Sequence, residues 1–337
     1  MSINDRILKN QQEIDKILNR LLRSTERELL NNYQLSSKKV SNIINKLYER
    51  LPKLTQEQID KGMQLTEAKL SGDYQKALNS IKSEIKKLTG RTFSLIETAV
   101  LSSYALSYYG EGWALEQPTS LNFGFQEIPE SKLNSIRYSK KYKKTWKTRN
   151  ASNNSQMFSK IEDDLTQGLT SGEGVLKTAR NIRNRFVEFD VINKKTRVSG
   201  GFTDARRIAR TETHRVLNQG RTDAFRFAEK SAKNLGVELR RVLQATLDNR
   251  TRSQSAQMDG QVADKNGFFT YPNGVKSDTP GNTGVPKYDI NDRETTRTEL
   301  FDENGDALIA APQDLTFKDW ADGQGMAKNK FGEKLFT

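Results

Sequence analysis

Four charged residues in the stretch ATLDNRTRSQSAQMDGQ, residues 245–261, could do chemistry: Asp248, Arg250, Arg252 and Asp259. Upstream, IARTETHRVLNQGRTDAF adds Arg210, Glu212 and His214. Carboxylates of this kind can hold Mg²⁺ and activate water against a phosphodiester, which would make a nuclease. No spacing among them demands a metal, and no residue is assigned a catalytic role. A second reading makes Arg210, Arg250 and Arg252 an anion site for phosphate. The third reading, which we prefer, is structural. Asp248 caps a turn through its side-chain oxygens, Asn249 tolerates tight-turn geometry, and Gly260 is free to adopt positive φ after Asp259. A carboxylate–guanidinium fork would then lock the two turns together.

Composition narrows the chemistry further. The 337 residues contain no Cys and one His, so disulfides, thiolate sites and His-rich metal centres are excluded. A triad through His214 lacks a nucleophile-elbow GxSxG. We expect no cofactor and no metal. The formal net charge is +13. Lys132 to Arg252 hold 28 Lys and Arg against 12 Asp and Glu, while the remainder sums to −3. A basic middle between near-neutral ends points to a polyanionic partner.

Within that middle, RYSKKYKKTWKTRN (137–150) carries Arg137, Lys140, Lys141, Lys143, Lys144, Lys147 and Arg149, with Tyr138, Tyr142 and Trp146 at steps of four. In a helix the rings line one face between cations, so bases could stack while lysines meet phosphates. The alternative has the rings packing on the body and the lysines merely solvated. Further on, Arg207, Arg210, His214 and Arg221 fall along one helical stripe. They face a partner, or else Arg210 and Glu212 make internal ion pairs.

The positioning elements are mostly helical. Residues 1–117 form a helical region: Ile7, Ile14, Leu18 and then Val40, Ile44 and Leu47 recur at helical steps. Pro52 separates two helices, Thr55-Gln-Glu-Gln58 reads as a capping box, and a further helix starts at about Gly90. These stripes pack within the chain or dock on a partner, since both bury the same face. Residues 118–154 form a basic aromatic connection, with ASNNS (151–155) as a linker or turn. Two helices broken at TSGEG and one long helix closed by Gly236 follow. VELRRVLQATLD reads as a strand, and GFFTYP with Asn273-Gly274 as a hairpin. Residues 155–300 thus form a helical and small antiparallel β domain, and 301–337 a tail that docks locally or stays mobile. The fold class is α+β, mostly α. The charged N-terminus is no signal peptide, and no apolar run approaches the ~20 residues needed to span a bilayer. The chain therefore reads as soluble, made in a cytoplasm and without membrane contact.

The order IARTETHRVLNQGRTDAF, ATLDNRTR, MDGQ, an aromatic segment, TPG and DIND resembles the phage minor head protein family, the head-morphogenesis group named for the phage Mu F protein. The resemblance covers roughly residues 155–297. It rests on Arg210, Thr211, Asp248, Arg250, Thr251, Arg252, Asp259, Gly260, Gln261, Pro280 and Gly281, taken as structural motif residues. Two departures stand out. Ser255 occupies a position where relatives often have His, and Asn291-Asp292-Arg293-Glu294 replaces an Asn-Cys-Arg-Cys run. A metal site built from those residues is lost here.

The resemblance implies a minor protein of the capsid interior of a virion, made in the host cytoplasm. Its implied partners are the portal protein, double-stranded phage DNA and a major capsid or scaffolding protein. Its implied roles are head morphogenesis, DNA packaging or DNA ejection. The alternatives are a portal-docking assembly protein without DNA binding, and a metal-dependent nuclease.

Overall fold

Pro52 cannot donate a backbone hydrogen bond and holds the residue before it extended. In the computed structural model, which describes residues 2–141, 144–187, 201–249, 251–306, 308, 313 and 315–323, the first helix accordingly stops just short of it. Helix α1 runs Ile3–Arg50. The capping box at Thr55 forms as expected, with Gln58 N–H donating to the Thr55 hydroxyl and Thr55 N–H to the Gln58 side chain, and it opens α2 (Gln56–Asp60). Helix α3 spans Met63–Leu70 and α4 spans Asp73–Glu116. The expected start near Gly90 is therefore corrected, because Gly90 lies inside α4. One exposed glycine costs a helix only about 1 kcal/mol, less than the burial of Ile81, Ile85 and Leu88 returns.

Residues 137–150 do not form one helix. Helix α5 (Glu130–Arg137) ends at Tyr138; strands β1 (Lys140–Lys141) and β2 (Lys144–Thr145) follow, and α6 (Trp146–Thr170) begins only where the Thr145 hydroxyl caps Thr148 N–H at 3.1 Å. The ASNNS stretch is no linker, since it lies inside α6. Asn154 donates to Thr89 at 2.8 Å and accepts from the Tyr33 hydroxyl at 2.9 Å. Those buried bonds override the weak helix preference of Asn and Ser.

Helices α7 (Val175–Phe186) and α8 (Gly201–Ala232) follow, the latter continued by a short 3₁₀ turn that left-handed Gly236 closes. Strand β3 (Val237–Gln244), helix α9 (Ser253–Met258), hairpin strands β4 (Phe269–Thr270) and β5 (Lys276–Ser277), helix α10 (Pro286–Asp289), strand β6 (Thr295–Asp302) and helix α11 (Phe317–Gly323) complete the order. β3 pairs antiparallel with β6, from Val237 opposite Asp302 to Gln244 opposite Thr295. The mostly α, α+β class is as read from the sequence. No helix among the described residues is long and apolar enough to cross a membrane.

The chain forms two compact units, each drawn from separate segments: residues 1–23, 97–142 and 209–337, and residues 24–96 and 143–208. In the second unit Val40, Ile44 and Leu47 of α1 pack with Ile81, Leu88, Ile161, Leu165 and Phe186. In the first, Ile7, Ile14 and Leu18 are buried, and Leu243, Met258, Phe269, Tyr271 and Tyr288 form a small core. The helical stripes are thus absorbed inside the chain. The tail docks through α11, where Trp320 packs on Phe125 and donates to Glu116 at 2.8 Å.

Within the first unit α8 approaches α4 closely at Gly220. A Cβ there would lie 2.1 Å from Ser107 Oγ and 2.6 Å from the Tyr104 carbonyl oxygen. We expect Gly220→Ala to destabilise the protein by about 1–3 kcal/mol, although in an open helix the change would gain about 1 kcal/mol. Urea denaturation decides; unchanged or raised stability would contradict this packing.

Candidate functional site

Helix α8 presents its polar side chains inward on successive turns. His214 Nε2 lies 2.7 Å from the Glu294 carbonyl oxygen. Burial lowers the His214 pKa, so the ring is neutral and carries its proton on Nε2, because a carbonyl can only accept. One turn later Asn218 Nδ2 donates to the same carbonyl at 2.8 Å and to that of Pro280 at 3.2 Å. Arg215 donates to Glu212 at 3.1 Å and to Ser139 at 2.5 Å. Arg221, 3% exposed, pairs with Asp15 at 2.7 Å and bonds Thr295 and the Thr296 carbonyl.

The stripe expected to face a partner is therefore corrected at His214 and Arg221, which hold the fold together. The alternation of charge along α8 did not show which side was inward. Arg207 and Arg210 are exposed, Arg207 forming an ion pair with Asp204 at 2.6 Å. Thr211 is buried beside Asn291.

The motif loop between β3 and α9 is a set of linked turns. Asp248 accepts a bidentate pair from Arg293 at 2.7 and 2.9 Å, and its own N–H donates to Thr251 at 2.7 Å. The expected fork exists, but its cation is Arg293; Arg250 lies outside the described residues. Strand β3 ends at Gln244, and Arg252 stands at the N-cap position of α9. Arg252 donates to the Lys287 and Tyr288 carbonyls and to Asp292 at 3.1 Å. Asp259 accepts Ala245 N–H at 2.8 Å, and left-handed Gly260 then donates to Leu243. Gln261 joins Thr270 with both ends of its amide. Gly281, at φ 73°, would place a Cβ 3.9 Å from the His214 ring.

Sequence reasoning missed Asn218, Tyr271, Asp289 and Arg293. The paired acids of DIND were a signal for Asp289, whose carboxylate accepts Thr283 N–H, its hydroxyl and Gly284 N–H.

Two carboxyls lie at the centre. Asp292 and Glu294 are 5% and 1% exposed. Asp292 Oδ1 accepts from Arg252 and from Arg293 N–H, whereas its Oδ2 has no hydrogen-bond partner among the described residues. Glu294 accepts from Tyr271 at 3.1 Å and is also supported by Ser255. Burial pushes Asp292 up to about 7 against the pull of backbone N–H groups and Arg252. Glu294 is raised by burial and by the neighbouring Asp292 charge. Ser255, Asp292 and Glu294 do not fit a metal. Arg252 already holds Asp292, and among the described residues no group of three His, Cys, Asp or Glu could hold an ion.

The basic connection is taken apart by the fold. Arg137 pairs with Glu97 at 2.9 Å. Tyr138 is 59% exposed, and Lys140 and Lys144 are exposed. Trp146 is 0% exposed and meets Phe93 edge-on, so it cannot serve as a base-stacking platform. Lys147 lies over the Trp146 ring, and Arg149 is half-buried. Tyr142 and Lys143 lie outside the described residues.

The carboxyl pair sets a pH dependence. Both groups bind protons more tightly folded than unfolded, so their contribution is full at low pH and is lost as pH rises from about 4 to about 7. Asp292→Asn stays neutral throughout. We expect the stability of the natural protein to fall relative to that variant across this window, as read from urea midpoints. A gap independent of pH would refute the shared-burial argument.

Residues 159–296 match the family described as Phage Mu protein F like protein. Minor head protein GP7 of Bacillus phage SPP1 is 26% identical over 295 residues, covering 84% of this chain and 85% of that protein. NAD(+)–arginine ADP-ribosyltransferase EFV of Enterococcus faecalis is 26% identical over 189 residues, 56% of this chain but 35% of that protein. No solved structure matches. Helix α8, strand β3 and the linked turns lie inside residues 159–296, the span in which this chain is similar to the Phage Mu protein F like family.

Proposed function

We propose that this chain is a minor protein of a phage head, held in the capsid interior in association with the portal. There it binds DNA without reading sequence and acts in head morphogenesis, packaging or ejection. The observation that carries the reading is the similarity to a minor head protein over 84% of the chain, and the net charge of +13 supports the DNA contact. The assembly-only reading loses ground because the helical stripes are buried in their own units.

The nuclease reading is weaker still. Asp248, Glu212 and Asp259 are tied to Arg293, Arg215 and Ala245 N–H. The transferase reaction in one relative's name belongs to a protein of which this chain spans 35%, and it is not carried over.

The test is a DNA titration across a salt series with Mg²⁺ present, with the DNA length checked afterwards. Intact DNA should bind with log K falling steeply as log salt rises. If Lys140, Lys141, Lys143 and Lys144 each neutralise a phosphate, replacing all four by Ala lowers that slope by about 3–4. No binding at low salt would favour an assembly protein that does not touch DNA; shortened DNA would make the protein a nuclease.

A further inference from the structure

The positive charge also divides unevenly between the two units. Residues 24–96 and 143–208 hold 27 Lys and Arg against 15 Asp and Glu, whereas the rest holds 28 against 27. Nearly all of the excess therefore sits in the second unit, while the buried polar node belongs to the first.

Within the second unit one helix face carries exposed lysines with no exposed acid among them. Between residues 75 and 90 the exposed positions of α4 hold Lys76, Lys82, Lys86 and Lys87, and otherwise only Gln, Asn, Ser and Gly. The single acid of that stretch, Glu84, is buried, accepting from Ser36 at 2.8 Å and Arg91 at 2.9 Å. Lys76 pairs with Asp73 at 3.3 Å. Lys82, Lys86 and Lys87 make no ion pair among the described residues. By contrast, α6 in the same unit groups Glu162, Asp163 and Asp164.

Lysines one turn apart, as Lys82 and Lys86 are, repel and weaken a helix in water. A polyanion laid along them reverses that cost. From Lys76 to Lys87 the face extends ~16 Å. It exposes no aromatic ring on which a base could stack. Its neutral groups are short amides and hydroxyls of the kind that position phosphate oxygens.

We infer that the lysine face of α4 between Lys76 and Lys87 is a docking surface for the sugar–phosphate backbone of duplex DNA. The inference rests on the DNA-binding reading above and names a contact separate from Lys140–Lys144.

The experiment uses the full chain and a short mixed-sequence duplex, with fluorescence anisotropy read across a salt series. The triple variant Lys82→Gln, Lys86→Gln and Lys87→Gln should lower the slope of log K against log salt by about 2–3. The matching Lys→Arg triple should keep the natural slope. Lys82→Gln and Lys86→Gln alone should each remove about one unit, which guards against misfolding of the triple. If the natural protein binds and the Gln triple keeps its slope, this inference falls while DNA binding stands. If the natural protein fails to bind at low salt, both fall. An equal loss in the Arg triple would mean that side-chain shape and not charge was removed, and would also overturn it.

Discussion

One backbone carbonyl organises the polar node of the first unit. The oxygen of Glu294, at the entry to β6, takes two donors from α8: His214 Nε2 at 2.7 Å and Asn218 Nδ2 at 2.8 Å. A buried carbonyl without partners costs roughly 1–3 kcal/mol, so this point fixes the strand against the helix and holds the proton of the imidazole, which burial keeps neutral, on Nε2. Because β6 pairs with β3 over its full length, the same anchor sets the register of the strands. The turns that carry the motif residues hang from them.

The carboxyl pair makes sense only in that frame. With no Cys and one His, the chain cannot close the start of β6 by thiolate coordination. Here the closure is made of Arg252, two carboxyls, Ser255 and Tyr271. Two charges buried side by side would repel strongly, and removing either from water is expensive. Retaining a proton in the pair avoids both costs, while Arg252 balances the remaining charge. The network closes the start of β6 by hydrogen bonding, and its raised carboxyl pKa values are the source of the pH dependence expected above.

Local signals were legible in the sequence. The capping box at Thr55, the break at Pro52, the Gly236 stop and the Asn273-Gly274 turn each act over a few residues, and the structure has each where the pattern placed it. What failed was inference across distance. Tyr138, Tyr142 and Trp146 have helical spacing, yet Thr145 caps a new helix between the second ring and the third. ASNNS has the composition of a turn, but Asn154 has buried partners in two other helices. Asp248 was seen to need a cation, and which arginine supplies it depends on a residue 45 positions away. The motif residues were found by resemblance, while the roles of Arg252 and Arg221 as internal donors depended on burial, which spacing does not encode.

Charge and motif prove to be separable properties. A window along the chain merges the arginines of α8 with the lysines near residue 140 into one basic centre. Burial then removes several of those cations from use: Arg215, Arg221 and Arg241 are each 5% exposed or less. A guanidinium spent on an internal carbonyl or carboxylate cannot also neutralise a phosphate. The cations that remain accessible and unpaired on α4 lie outside the matched span and carry no motif. The family resemblance therefore covers the polar node, whereas the polyanion contact inferred on α4 lies on a helix that the resemblance does not reach.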